Sequence, residues 1–186
     1  MDDKKRCGWC EKNELYRNYH DNEWGNPVFD DATLFEFLLL ETFQAGLSWY
    51  TILSKRENFR VAFDHFDYKK IALYNDLKIA SLVQDSGIIR NKLKIYSAVL
   101  NAQNFIKIQL EFGTFSAYIW KFVEGKPIDN KPKNLKEVPA MTAVSDALSK
   151  DLKKRGFKFV GSTTIYAHMQ ATGMVNDHVA DCWKRE

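Results

Sequence analysis

The decapeptide Arg155-Gly-Phe-Lys-Phe-Val-Gly-Ser-Thr-Thr164 (RGFKFVGSTT) joins two stretches of helical character and carries a glycine near each end. Gly156 suits the left-handed position that closes a helix, where a Cβ is unwelcome. Gly161 removes a side chain just where the N–H groups of the next helix open, and such groups attract an anion. The segment therefore reads as two helices joined by a tight hairpin able to hold one phosphate. Lys158, with the basic run Lys150, Lys153, Lys154 and Arg155 before it, adds charge for that purpose. The plain alternative is an ordinary helical hairpin with a good C-cap, and the basic flank argues against it.

Helical signals extend outward from this hairpin. Asp30 or Asp31 caps a segment ending at Gly46, and Ser48 caps a second running to about Phe63. Periodicity predicts helices over 76–84, 91–111 and 114–124, the last two stopping at Gly113 and Gly125. Helices follow from Ser145 to Arg155, from Ser162 to Thr172, and from Asn176 to the C-terminus. No stretch alternates for the length of a strand, so the expected class is all-α. Lys126 to Ala140, with three prolines, reads as a linker between two helical lobes of one domain spanning 1–186. There are no internal repeats.

The 186 residues are 45% hydrophobic and 27% charged, enough for a real core and unlike a disordered chain. Aromatic content of 14% leaves rings available for stacking on a flat ligand, although an aromatic-rich core is the simpler account. A net charge of +3 does not by itself announce a nucleic-acid partner. No apolar run has membrane-spanning length and no signal-peptide core follows the N-terminus, so the expectation is a cytoplasmic chain without a membrane partner. Three cysteines are too few for a secreted disulfide framework.

One residue breaks the apolar logic. Glu41 ends the run Leu34-Phe35-Glu36-Phe37-Leu38-Leu39-Leu40 and shares a helical face with Phe37 and Leu38, while Glu36 lies opposite. A buried, unpaired carboxylate costs several kcal/mol or takes up a proton, so Glu41 needs a reason to be there. Gly46 then interrupts the helix, and Trp49 follows.

His178 and Cys182, four apart on the expected last helix, face one way and can share a metal ion. A tetrahedral Cys2His2 zinc site needs two more ligands, and the N-terminal region offers Cys7, Cys10 and His20. Domain termini often lie close together. Cys7-Gly-Trp-Cys10 has a familiar zinc spacing, yet no second such pair exists. His65 and His168 read as ordinary structural histidines.

Val175-Asn-Asp-His-Val179, one helix after the hairpin, resembles the helix-hairpin-helix DNA glycosylases, in which a hairpin and a Val-Asp-x-His-Val-like segment supply a phosphate grip and a catalytic aspartate. Asn176 stands where that aspartate would be, and this departure points to one branch. Arg6-Cys-Gly-Trp9, Tyr16, Tyr19-His-Asp-Asn-Glu-Trp-Gly25, Gln44-Ala-Gly-Leu-Ser-Trp49, Lys55-Arg-Glu-Asn-Phe-Arg60, Asp146-Ala-Leu-Ser-Lys150 and Lys154-Arg-Gly-Phe-Lys-Phe-Val-Gly161 resemble the 3-methyladenine DNA glycosylase I family from Cys7 to Cys182.

The resemblance implies a helix-hairpin-helix glycosylase fold whose termini are tied by a structural Zn2+ on Cys7, His20, His178 and Cys182, leaving Cys10 as a spare thiol. It implies a base pocket in which Glu41, the catalytic candidate, meets the positive charge and polar edge of 3-methyladenine. Trp49 is the implied stacking platform, Tyr19 a hydrogen-bonding partner, and Tyr16 and Trp9 the walls. Gly46 and Leu47 suit a wedge filling the gap left by a flipped nucleotide, while Lys158 and Gly161 grip DNA. The implied protein acts as a monomer on double-stranded DNA containing alkylated bases. It hydrolyses the N-glycosidic bond of 3-methyladenine and leaves an abasic site. Ser162-Thr163-Thr164 offers no lysine nucleophile after the hairpin, so strand cleavage is not expected. The missing aspartate motivates an alternative, a non-catalytic protein that binds alkylated DNA. A zinc hydrolase is less consistent, because four protein ligands close the coordination sphere.

Overall fold

A computed structural model describes residues 3–185. Its helices are α1 (Glu14–Asn22), α2 (Asp31–Gln44), α3 (Trp49–Leu53), α4 (Arg56–Ala62), α5 (Tyr68–Ile71), α6 (Asp76–Gln84), α7 (Lys92–Phe112) and α8 (Phe115–Ile119). A two-residue strand β1 (Ile128–Asp129) precedes α9 (Ala143–Lys154) and α10 (Ser162–Ala171), and β2 (Val175–Asn176) closes the series. Short polar side chains start most of these helices. Asn13, Asp30, Ser48, Asn75, Asn91, Thr114 and Thr142 each accept a first-turn N–H, and Thr142 forms a reciprocal capping box with Ser145.

The core is built around α2, which is buried from Leu34 to Phe43. It packs against α7 and α10, and α10 packs against α9. Phe35 meets Phe105 edge to face at 5.1 Å, and Phe105 stacks on Phe115 at 4.1 Å. Trp120 is a core residue, donating its indole N–H to the Val28 carbonyl. Because α2 is enclosed on all sides, Glu36 is buried too, where it accepts from Arg56 and Arg60. Glu36, on the side of the helix opposite Glu41, stays inside because two guanidinium groups pair with it.

Several expected boundaries also shift. The helix expected from Ser48 to Phe63 is two, α3 and α4, broken at Ser54 and Lys55. The one expected over 114–124 is α8 followed by a 3-10 turn, Trp120–Val123. Residues 126–140 are partly ordered by pairing: β1 runs parallel to β2, with Ile128 opposite Val175. That pairing occupies Asn176, so no helix begins there. The last turn is instead a 3-10 turn, Trp183–Arg185. Helix α1 lacked an expectation: at nine residues it is short and mostly polar, although its few apolar side chains do share one face. The two termini meet where the Trp183 N–H donates to the Lys5 carbonyl.

Candidate functional site

A cavity of about 290 Å3 opens where α1, α2, α3 and α10 converge. Small-molecule clefts start at about 300 Å3, so this one suits a single flat heterocycle. Trp9, Tyr16, Tyr19, Glu41 and Trp49 all line it, brought together from three separate stretches of sequence. Tyr19 lies 5.5 Å from Trp49, and Trp9 meets Tyr16 edge to face at 5.5 Å. The Trp49 indole N–H is buried without a partner among the described residues.

Glu41 is the electrostatic anomaly of the cavity. It is 4% exposed and makes no hydrogen bond or ion pair among the described residues. Burial alone pushes its carboxyl up to about 8, so at neutral pH it is mostly a neutral acid. Burial, and then the nearby Glu41 carboxyl, hold the Tyr19 hydroxyl well above its ordinary range. A buried acid with no internal partner is a group waiting for a donor or a cation from outside.

Sequence reasoning missed the opposite wall. Gln170 and Asp177 line the cavity, with Ala167, Trp24 and Gln44, while Leu135 and Val138 close it from the 126–140 segment. Gln44 follows Glu41 by one helical turn, so the helical period already placed it on that face. Nothing in the sequence separates Gln170 from any other polar residue of α10. Asn176, expected at the site of a catalytic aspartate, instead lies in β2 and accepts the His178 N–H; its neighbour Asp177 supplies the pocket carboxylate.

Gly46 and Leu47 are not part of the cavity lining but form the turn after α2. Gly46 has φ +80° and open space around it, and Leu47 is half exposed. The Lys94 ammonium, reaching over from α7, donates to the carbonyls of Phe43 at 2.7 Å and Ala45 at 2.6 Å and so anchors this turn.

The hairpin between α9 and α10 is pinned from below. The Asn101 side chain donates to the Lys158 carbonyl and accepts its N–H, and Ser149 donates to the Val160 carbonyl. Gly156 has φ +93°, the left-handed turn read from the sequence. Helix α10 opens on Gly161 with no side-chain cap, and a Cβ there would meet nothing within 4 Å. Lys150, Lys153, Lys154 and Lys158 are exposed around it. Arg155 is not available with them, since it pairs with Glu111 at 2.7 Å and Asp151 at 2.6 Å.

Behind the aromatic wall, Cys7, His20, His178 and Cys182 are buried together, each offering a ligand atom within 4.8 Å of the others. Cys182 Sγ lies 3.4 Å from His20 Nε2 and 3.5 Å from His178 Nδ1, and Cys7 Sγ lies 3.7 Å from His178 Nδ1. These four can hold a metal ion. His178 and Cys182 do not face one way through a helix, as expected; a turn in which the Cys182 N–H donates to the Val179 carbonyl makes them converge. His20 Nδ1 is turned to Asp21, whose carboxyl is opposed by burial but brought down to about 2 by Arg6 and His20. Cys10 is buried outside the group, and burial pushes its thiol up to about 12. His168 is buried, donating its Nε2–H to the Leu34 carbonyl, and His65 is exposed. The cluster and the cavity share walls: Trp24 meets His178 edge to face at 4.7 Å, and Trp9 meets His20 at 5.6 Å.

A helical frame holding an aromatic slot with one buried acid that has no partner among the described residues suits a flat, donor-bearing ring. The methyladenine glycosylase family model matches residues 9–185, and the chain belongs to that family. It is 49% identical over 178 residues to DNA-3-methyladenine glycosylase 1 of Escherichia coli (strain K12), covering 96% of this chain and 95% of that one. A crystal structure of 3-methyladenine DNA glycosylase I superposes with a TM-score of 0.95 at 45% identity, covering 98% of this chain and all of the other. A tyrosine-to-phenylalanine variant of 3-methyladenine DNA glycosylase I in complex with 3-methyladenine gives 0.94 at 36% identity, covering 97% of each chain. Among the described residues no helix is long and apolar enough to cross a membrane.

Proposed function

We propose that the protein is a monofunctional DNA glycosylase that removes 3-methyladenine from alkylated double-stranded DNA, acting as a monomer. The observation that carries this reading is Glu41, an acid without an internal partner in an aromatic slot sized for one base. An extruded 3-methyladenine brings a positive charge and N–H donors, and both favour the ionised carboxylate. Trp49 and Tyr19 stack on or bond the base, with Tyr16 and Trp9 as walls, at roughly 1–3 kcal/mol per stacked base. Water adds at the sugar C1′ as the bond to the base nitrogen breaks, releasing free base and leaving an abasic site. Alkylation already makes the base a good leaving group, so the chain manages without an aspartate at position 176.

DNA is held at two places. The uncapped start of α10 at Gly161, within a helix-hairpin-helix, receives a phosphate with Lys158 beside it, and Gly46-Leu47 fills the gap left by the flipped nucleotide. The segment 126–140 then links two lobes of a single domain. Cys7, His20, His178 and Cys182 hold a structural zinc ion. Zn–S near 2.3 Å and Zn–N near 2.0–2.1 Å imply tetrahedral S···N edges of about 3.6 Å, and the three recorded edges are 3.4–3.7 Å. Bound there, the ion contributes stability and no open coordination position. Asp21 orients His20 as an outer carboxylate does in metal sites.

Product analysis on methylated DNA tests the reading. Free 3-methyladenine and intact strands with abasic sites are expected. Retention of damaged DNA without release of base identifies a binding protein instead.

A further inference from the structure

Resting on that functional reading, we infer that Gln170 is a specificity-determining residue, presenting its side-chain carbonyl oxygen to the 6-amino group of the bound purine. The argument starts from Asp177, which is 1% exposed and adjoins Gln170 on the cavity wall. Three donors converge on its carboxylate. The Tyr166 hydroxyl donates to Oδ2 at 2.6 Å, Gln170 Nε2 to Oδ2 at 2.8 Å, and Asn130 Nδ2 to Oδ1 at 2.7 Å. Asn130 Nδ2 also donates to the Tyr166 oxygen at 2.9 Å, so the tyrosine proton has one acceptor left, Asp177.

Asn130, Tyr166 and Gln170 each aim a hydrogen at the carboxylate, which settles the orientation of the Gln170 amide. Its nitrogen must face Asp177, because an oxygen there would meet an acceptor. Gln170 Oε1 is thereby turned away from the cluster and has no hydrogen-bond partner among the described residues. It is not sealed off either, since it is absent from the buried atoms that lack a partner. An acceptor held in one orientation, on the wall of a base-sized slot, asks for a donor. Glu41 occupies another part of the wall, so the cavity offers acceptors from both α2 and α10. A 6-amino purine supplies donors to such a site, whereas a 6-oxo purine places an acceptor against it and leaves both unpaired.

Titration with free 3-methyladenine and its 6-oxo analogue 3-methylhypoxanthine tests this, using wild-type protein and Gln170→Met, a near-isosteric change at a half-buried position. Wild type should prefer 3-methyladenine, and Gln170→Met should lower that preference roughly ten-fold while 3-methylhypoxanthine binding holds or improves. Equal weakening of both bases would mean that Gln170 only shapes the wall, and overturns the inference. A crystal structure of wild type with 3-methyladenine gives a reading independent of the variant. Gln170 Oε1 within about 3.2 Å of the 6-amino nitrogen supports the inference, and an intervening residue or a nitrogen-first amide overturns it. Wild type that binds neither base overturns the functional reading, and this inference with it. Wild type that binds 3-methyladenine with an unchanged preference in the variant overturns this inference alone.

Discussion

Replacing Glu41 by Gln swaps a buried acid for a neutral amide of the same size, and the consequence for stability has a defined pH course. The Glu41 carboxyl sits at about 8 when folded against 4.5 for an ordinary glutamate. A raised folded value means that the unfolded chain ionises first as pH rises. Glu41 therefore costs nothing below the ordinary carboxyl range, and its penalty grows with pH until it is complete above about 8. At about 1.4 kcal/mol per pH unit, the penalty is below about 1 kcal/mol at pH 5, about 3 kcal/mol at pH 7 and about 5 kcal/mol beyond pH 8. Glu41→Gln should thus be more stable than wild type at pH 7, by roughly 5–10 °C in melting temperature, and nearly indistinguishable at pH 4. Excision should move the other way. In methylated DNA the target base carries its charge throughout this range, so the carboxylate is favoured once the base is in place, and Glu41→Gln should lose roughly ten- to hundred-fold in base release at pH 8. The deficit should shrink toward pH 6, where wild type must first give up a proton. Paired melting curves and single-turnover base release at pH 4, 6 and 8 measure both, with release at pH 6 and 8. A Glu41→Gln protein whose stability gain is independent of pH, or whose base release matches wild type, refutes the assignment of Glu41 as the pocket's charge.

His178→Ala should lower zinc content toward zero and destabilise the chain, because one lost ligand opens a closed site that ties both termini; metal analysis and melting check it. Cys10→Ala should keep stoichiometric zinc, and metal loss there with retention in Cys7→Ala would reverse the two thiols. Gly161→Asp introduces a negative side chain without backbone strain, since its φ of −61° suits any residue and the space is open. It should weaken binding to damaged and undamaged DNA alike, with free 3-methyladenine binding preserved; an equal loss of free-base affinity would place Gly161 in the pocket or in the fold.

What was legible in the sequence follows from how local each cause is. Helix starts are set by one side chain and an N–H two or three residues on, so Asp30 and Ser48 announced their helices without knowledge of the rest of the chain, whereas α9, expected from Ser145, is capped three residues earlier by Thr142. The hairpin was legible for the same reason, through Gly156 and Gly161. Helix ends made by tertiary contact were not: nothing near Asn176 says that Ile128, some fifty residues earlier, will pair beside it and hold it extended. That single pairing removes the expected last helix, and Asp177, directly after it, lines the cavity. The convergence of His178 and Cys182 was anticipated through helical spacing and is achieved by a turn, so a correct pairing had the wrong local cause. Glu41 could be found because a carboxylate in an apolar run violates a rule visible in one dimension. Gln170 violates none. Its meaning depends on Tyr166, one turn back on the same helix, and on Asp177 and Asn130 from outside that helix, which fix its amide only after the fold has brought them together.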